Sequence, residues 1–265
     1  MTHEHARLRS AMPCLLVPDV ARTVAWYRTV LGFKNGGAWG DADEAFGIAD
    51  LGDGLGFQFK SAGGCMPALD PAPTPETAKL DAYIRLRGDA IRPLHAALSK
   101  AGVQVLGEPR DQPWQQRELL VRDPDGHVLC FGGDLTGEWP ADAVGVSPEL
   151  AVADPEVTAA FFRDALGFVE TNLWGDPPGY LIAVRDGAKL HFRRAGSRAE
   201  IRTNAPREVW DAYVWCDGLD ELAAEVQRRG VPLERGPVTQ PYGMREFDVL
   251  DPDGHVICFG APTQG

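Results

Sequence analysis

Apolar and polar positions along the chain fall into the same order twice. A short apolar strand ends at Val17 and another at Val152. Asp19 and Asp154 follow where a helix N-cap is expected, since a carboxylate accepts the first free helix N–H groups. Pro155 then sits at a first helical position, where its missing N–H costs nothing. Val20, Val24, Tyr27 and Leu31 recur at helical spacing, and so do Phe161, Phe162, Ala165 and Leu166. Gly32 and Gly167 close these helices with residues that tolerate a left-handed backbone. Strands are predicted over Ala45 to Leu51 and Leu55 to Lys60, and in the second half over Tyr180 to Arg185 and Lys189 to Arg193. Their connections, Gly52-Asp53-Gly54 and Asp186-Gly187, are hairpin sequences. Further strands fall near Ala82 to Leu86 and Ala212 to Cys216. Second helices follow, carrying Ile91, Leu94 and Leu98, or Leu219, Leu222 and Val226, and ending at Gly102 and Gly230.

The repetition is also literal. Asp123 to Gly132 (DPDGHVLCFG) returns as Asp251 to Gly260 (DPDGHVICFG), with Leu129 against Ile257 the single difference. Gln112-Pro113-Trp114 matches Gln240-Pro241-Tyr242, Arg117-Glu118 matches Arg245-Glu246, and Trp39-Gly40 matches Trp174-Gly175. Asp-Pro-Asp-Gly is a type I turn sequence, so each half closes on a hairpin. One module is therefore written twice, over residues 10–135 and 148–263, joined by a linker at 136–147. Each module reads as βαβββ with a further helix before the closing hairpin, and the fold class is α+β.

Composition narrows the function. The chain has 265 residues, 44% of them hydrophobic and 24% charged, which is globular and excludes a disordered or fibrous protein. No run of about 18 apolar residues is present to span a membrane. The first ten residues lack the apolar core of a signal peptide. Five scattered cysteines without a CxxC pair point to reduced thiols and a cytoplasmic location. The net charge of −12 repels a phosphate backbone, so nucleic acid is not an expected partner, and it favours cationic small molecules. The common nucleotide, hydrolase and metalloprotease motifs are absent, and Asp41 to Glu44 lacks the third ligand and central glycine of a calcium loop.

Residues 13–33 and 148–168, with the QPW…RE…DPDGH arrangement, resemble the vicinal oxygen chelate superfamily of glyoxalases, bleomycin resistance proteins and dioxygenases. The arrangement is most similar to the bleomycin resistance branch. The resemblance covers nearly the whole chain and implies two tandem modules whose mixed sheets curl around a cavity. Because the branch's proteins resemble half of this chain and pair as dimers, it also implies an internal pseudo-dimer, for which further oligomerisation is not required.

The superfamily's metal enzymes place a ligand seven residues before the capping Asp, another at the start of the mid-module strand, and a Glu three residues after the DPDGH histidine. Here the resemblance sets those positions at Met12 and Ser147, near Asp81 and Asp211, and at Cys130 and Cys258. Met, Ser and Cys do not make a hard-metal site. The expectation is no cofactor, with a divalent metal as the alternative.

Aromatic residues are the remaining candidates. In the bleomycin resistance branch the QPW aromatic stacks on the ligand, which carries over to Trp114 and Tyr242. Trp39, Phe46, Trp174 and Tyr180 are placed to flank the same cleft, and aromatic faces bind planar rings and cations. Gln58 and His191 occupy matched positions on the strand after the first hairpin, where alternation can turn them into the cavity. The recurrence of His127 and His255 is explained by turn geometry. Glu118 and Glu246 are either cross-strand ion-pair partners or cavity-facing acids. The long connections at 63–79 and 195–206 are candidate lids.

The expected function is metal-independent binding of a planar, cationic natural product, sequestered without turnover. The alternative is a glyoxalase- or dioxygenase-type enzyme of the superfamily, either with a noncanonical metal site or with His191 and Glu246 as acid–base catalysts.

Overall fold

The computed structural model describes residues 6–41, 43–52, 54–63, 66, 72–87, 90–135, 143–207 and 209–263. Cys65, Asp53, most of the first half of the 63–79 connection and residues 136–142 of the expected linker lie outside them. The first half runs β1 (Arg7–Val17), α1 (Val20–Thr29), β2 (Asn35–Trp39), β3 (Phe46–Asp50), β4 (Gly56–Ser61), β5 (Ala82–Leu86), α2 (Ile91–Lys100), β6 (Gln104–Val105), β7 (Arg110–Asp111), β8 (Gln116–Arg122) and β9 (Val128–Asp134). The second runs β10 (Ala143–Val152), α3 (Pro155–Ala160), β11 (Glu170–Gly175), β12 (Pro178–Arg185), β13 (Ala188–Arg194), β14 (Ala212–Asp217), α4 (Leu219–Arg228), β15 (Arg235–Thr239), β16 (Met244–Leu250) and β17 (Val256–Pro262). Residues 143–147, expected in the linker, are thus the start of β10.

The chain forms two compact units. One comprises residues 15–147, and the other the described residues up to Cys14 together with those from Pro148 onward. Strands β1 and β10 each contribute one part to each unit. In the 15–147 unit the strand orders are β1-β4-β3-β2 and β10-β5-β9-β8-β6, with β7 beside β8. In the other they are β10-β13-β12-β11 and β1-β14-β17-β16-β15. The pairs β5–β9, β10–β13 and β14–β17 are parallel, whereas β1–β14, β2–β3, β3–β4, β6–β8, β7–β8, β8–β9, β11–β12, β12–β13, β15–β16 and β16–β17 are antiparallel, so the sheets are mixed.

Strand alternation gives each sheet one apolar face. In the 15–147 unit Val20, Val24 and Tyr27 of α1 pack with Phe57, Phe59, Ile84, Leu119, Val121 and Phe131. In the other unit Leu222 and Val226 of α4 and Phe162 pack with Phe192, Val214, Phe247 and Phe259. Each fully buried phenylalanine contributes about 1.5–3 kcal/mol of transfer free energy. The expected caps are present: Asp19 accepts from Arg22 N and Asp154 from Glu156 N. After α3 the second helix continues as a π-helical turn over Phe161–Ala165. Strands β2 and β11 are exposed and lack alternation, so the hydrophobic pattern does not announce them.

The aspartates expected near the metal-ligand positions do structural work instead. Asp81 N donates to Val128 O (2.9 Å), and Val128 N returns a bond to Asp81 Oδ2 (2.8 Å). Asp211 N donates to Val256 O (2.8 Å), and Val256 N to Asp211 Oδ2 (2.8 Å). Each aspartate fixes the register of a parallel strand pair. In the turns, Asp123 Oδ1 accepts from the N–H groups of Asp125 and His127. Asp251 Oδ1 accepts from those of Asp253 and His255. Both histidines are buried, which agrees with their structural reading. His127 Nε2 meets Leu16 O at 2.9 Å, and its Nδ1 lies 3.7 Å from Asp81.

The last glycine of the repeat also has a physical reason. Gly132 and Gly260 lie under the rings of Tyr83 and Tyr213, and a Cβ at either position would overlap the tyrosine hydroxyl. Gly132→Ala and Gly260→Ala are therefore each expected to cost about 1–3 kcal/mol, as overpacking does. Urea denaturation of the two variants checks this. A pH dependence follows from His127. Burial opposes its charge, but Asp81 and Asp123 outweigh burial and push its pKa up to about 9. A raised histidine pKa stabilises the fold fully below the unfolded value of about 6.5, and that contribution is lost as pH rises through the folded value. Stability is expected to fall by up to about 3 kcal/mol between pH 6.5 and 9.5, with a shallower fall in His127→Gln. Denaturation midpoints across this range that show equal slopes for both proteins would contradict the assignment.

Candidate functional site

The sheet face opposite the apolar core carries polar and ionisable residues in cross-strand rows. In the unit built from Pro148 onward, Met12 on β1 lies opposite Tyr213 on β14. Tyr213 lies opposite Cys258 on β17, and Cys258 opposite Asp248 on β16. In the 15–147 unit Tyr83 on β5 lies opposite Cys130 on β9, which lies opposite Leu120 on β8. The mid-module strand therefore presents Tyr83 and Tyr213 in these rows, two residues beyond Asp81 and Asp211.

Each tyrosine reaches a glutamate. Tyr213 OH donates to Glu246 Oε1 (3.0 Å), and Tyr242 OH to Glu246 Oε2 (2.8 Å). Arg235 adds a donor to Glu246 Oε2 (3.3 Å) while pairing with Asp248 (2.6 and 3.0 Å). Glu246 is thus 1% exposed yet surrounded by three donors, one of them charged. In the first half, Glu118 Oε1 accepts from Trp114 Nε1 (3.1 Å) and Tyr83 OH (3.3 Å). Tyr83 OH also donates to Gln116 Oε1 (2.6 Å). Burial raises the Glu118 carboxyl above the usual range, and hydrogen bonds from Trp114, Tyr83 and Gln112 only partly oppose it. Both glutamates lie on the polar face. Arg117 and Arg245, which precede them, pair elsewhere, with Asp111 and Asp220.

A third cluster lies on β10, β12 and β13. Glu149 is buried and lies opposite His191 across the parallel pair. Tyr180 OH donates to Glu149 Oε2 (2.8 Å) and sits 2.8 Å from His191 Nδ1. Since the one tyrosine proton goes to the carboxylate, His191 Nδ1 carries a proton and donates to the tyrosine oxygen. Burial, with a smaller effect of Lys189, pushes the His191 pKa down to about 3. The ring is therefore neutral at ordinary pH. Trp174 lies against Tyr180, with centroids 6.3 Å apart. Arg193 Nε is 3.8 Å from Glu149 Oε1. Glu149 was not expected; its signal is a glutamate inside an apolar strand at the position where the first copy has Cys14.

The matched surface on β2 to β4 is mostly apolar. Trp39 and Phe46 stack with centroids 6.4 Å apart, and Gln58 on β4 is 2% exposed. Of the aromatics singled out in the sequence, Trp39 thus meets Phe46 and Trp174 meets Tyr180. Trp39, Trp114, Trp174 and Tyr242 are 48–61% exposed, and Trp114 and Tyr242 are each tethered to a glutamate four residues on. Of the two long connections, 195–206 is pinned by Arg198 to Asp253 (2.9 Å) and by Asn204 N to Asp211 (2.9 Å). In the other, Glu76 receives Arg110 at 2.6 Å.

A divalent metal does not fit these rows. Met12 Sδ accepts the Trp215 indole N–H at 3.1 Å, the Cys258 thiol is pushed well up by burial, and Asp248 is held by Arg235. Ser147 is buried in β10, beyond which the first-half row offers Tyr83 and Cys130. Among the described residues no three His, Cys, Asp or Glu side chains group closely enough to hold a metal ion.

Residues 7–131 and 145–259 match the model of the Glyoxalase/Bleomycin resistance protein/Dioxygenase superfamily. No curated protein sequence matches the chain. Among solved structures, a mutant of glyoxalase I from Zea mays is similar with a TM-score of 0.66 at 18% identity, covering 98% of this chain and 93% of that one. A dioxygenase-like protein of Bacillus subtilis gives a TM-score of 0.67 at 14% identity, covering 98% and 86%. At such identities both likenesses show the fold alone. Among the described residues no helix is long and apolar enough to cross a membrane. With both halves matched, the chain belongs to the Glyoxalase/Bleomycin resistance protein/Dioxygenase superfamily as two tandem modules.

Proposed function

We propose that the protein is a metal-independent binder of a planar, cationic small molecule, holding its ligand through aromatic faces and carboxylates without turning it over. The observation that carries this reading is the pairing of an exposed aromatic with a glutamate in both copies, Trp114 with the half-buried Glu118 and Tyr242 with the buried Glu246. A ring held in this way offers its face to a planar ligand, and at Trp114 the Glu118 carboxylate, with neutral donors alone, adds negative potential. The overall charge of −12 supports a cationic partner by long-range attraction. The resemblance to the bleomycin resistance branch agrees with this chemistry, as does a cytoplasmic site of action for a sequestering protein.

The enzymatic alternative has less support. A general base works best with a pKa near the operating pH. His191, held near 3, is too weak a base for that role. Glu246 is already engaged by Tyr213, Tyr242 and Arg235. The donor rows lack the oxygen and imidazole set of a hard-metal enzyme.

Titration with bleomycin and with planar cationic dyes, read by intrinsic tryptophan fluorescence, tests the proposal. Trp114→Ala and Tyr242→Ala are expected to weaken binding by roughly 5- to 30-fold each, as loss of a stacking or cation–π contact of about 1–2 kcal/mol implies. Unchanged affinity in both variants would refute the stacking role. Incubation with nickel, cobalt, manganese and zinc, then desalting and mass spectrometry, is expected to leave no stoichiometric metal. A retained metal accompanied by turnover of a substrate would replace the binding reading with the enzymatic one.

A further inference from the structure

The two copies of the closing hairpin differ at a point that the repeat itself makes comparable. Glu118 and Glu246 are matched, and so are Leu106 and Glu234, whose N–H groups donate to the matched carbonyls of Leu120 and Asp248 (both 2.8 Å). The next residue is Gly107 in the first copy and Arg235 in the second. Arg235 lays its guanidinium between Glu246 and Asp248. Gly107 has no side chain to do so, and Leu120 stands where the second copy has Asp248. The hydrogen-bond donors around Glu118 are Trp114, Tyr83 and Gln112, all neutral. Arg110 lies directly opposite Glu118 on the neighbouring strand β7, but its guanidinium donates to Glu76 at 2.6 Å and not to Glu118.

The space beside Glu118 is a pocket of about 190 Å³, walled by Leu80, Leu106 and Leu120, with the polar side chains Gln112, Glu108 and Arg110 also lining it. Pro75 lies 3.0 Å from where a Cβ on Gly107 would stand, so the segment carrying Pro75 and Leu80 closes over the glycine. The Glu76–Arg110 pair holds that segment against β7. A half-buried carboxylate whose hydrogen-bond donors are all neutral bears a desolvation cost that a cationic partner offsets. The second copy supplies that partner from its own chain.

We propose that the pocket beside Glu118 is a subsite for a guanidinium or alkylammonium group of the bound small molecule. Glu118 is its anionic partner, and Leu80, Leu106 and Leu120 surround the alkyl stem next to the charge. The ligand's cation takes in the first copy the role that Arg235 plays in the second. Trp114, bonded to the same carboxylate, stands beside the subsite and is placed to stack on the ligand's planar part. The inference rests on the binding function proposed above and adds the chemical class of one end of the ligand.

The full-length protein is titrated with methylguanidinium and propylammonium chlorides, with neutral N-methylurea as the isosteric control. The readout is the Trp114 indole N–H signal in a ¹H–¹⁵N spectrum, assigned by its loss in Trp114→Phe. A saturable shift is expected with both cations and none with N-methylurea at equal concentration. Glu118→Gln keeps the side-chain shape and is expected to weaken cation binding at least tenfold with the thermal midpoint retained. The double variant Gly107→Arg with Leu120→Asp rebuilds the second-copy arrangement and is expected to abolish it. Should that variant fail to fold, the neutral probe and Glu118→Gln decide alone. Equal shifts with N-methylurea, or undiminished binding in Glu118→Gln, would overturn the subsite. Planar ligands that bind normally to Glu118→Gln would sink the subsite while sparing the binding function. Cation shifts without any planar ligand binding would do the reverse.

Discussion

Strand register is the constraint on which the polar face of each unit depends. In a strand, successive side chains point to opposite faces, so a slip of one residue exchanges core and polar faces. Asp81 and Asp211 prevent that slip by bonding the first residue of the parallel neighbour through both backbone and carboxylate. With that bond in place, Tyr83 must lie opposite Cys130, and Tyr213 opposite Cys258. The aspartate turn of each closing hairpin fixes the other side of the row by holding the start of β9 or β17. Gly132 and Gly260 then leave room for the tyrosine rings, which brings each hydroxyl to its glutamate. The repeated decapeptide is thus a register device whose product is a tyrosine–glutamate contact on the far face.

Much of this frame is legible in the sequence, because its signals are local. The capping aspartates, the helix-closing glycines and the Asp-Pro-Asp-Gly turns each act within a few residues, and their positions agree with the structure. Edge strands β2 and β11 are not legible, since Asn35-Gly36-Gly37 and Glu170-Thr171-Asn172 face solvent and carry no alternation. The polar face is legible only in part. Trp114, Tyr242, Tyr180 and His191 stand out as residue types, but their partners depend on register. Tyr83, Tyr213 and Glu149 acquire meaning only when strands distant in sequence are paired. Asp81 and Asp211 look like candidate ligands in the sequence, whereas pairing shows them bonded to the backbone two residues short of the row.

The apolar face and the polar face answer to different constraints, and the two copies diverge accordingly. On the core side the copies differ conservatively or not at all, with Leu129 against Ile257 and Phe59 against Phe192, because close packing penalises changes of volume. On the polar side they change charge and hydrogen-bonding capacity. Phe46, Gln58 and Cys14 in one copy stand against Tyr180, His191 and Glu149 in the other. The second set closes into a chain of hydrogen bonds through Tyr180, and burial keeps its histidine neutral. A polar network buried in this way stabilises the fold only when its members are satisfied. The three substitutions therefore make sense together: buried His191 and buried Glu149 both meet the Tyr180 hydroxyl.

The same reasoning separates the two glutamates of the closing hairpins. Glu246 meets a charged donor from its own chain, a guanidinium it shares with Asp248. Glu118 has neutral donors and a leucine where its counterpart has an aspartate, and burial lifts its carboxyl above the usual range. Neutral donors stabilise a carboxylate less than a cation does, since charge-assisted bonds are roughly twice as strong. Folding therefore leaves Glu118 the more responsive of the two to an added positive charge. A scaffold repeated within one chain can hold one copy electrostatically closed and the other open, while both keep the same backbone. The difference lies in Gly107 for Arg235 together with Leu120 for Asp248, which leaves the net charge of the cluster unchanged but takes the guanidinium away from the glutamate.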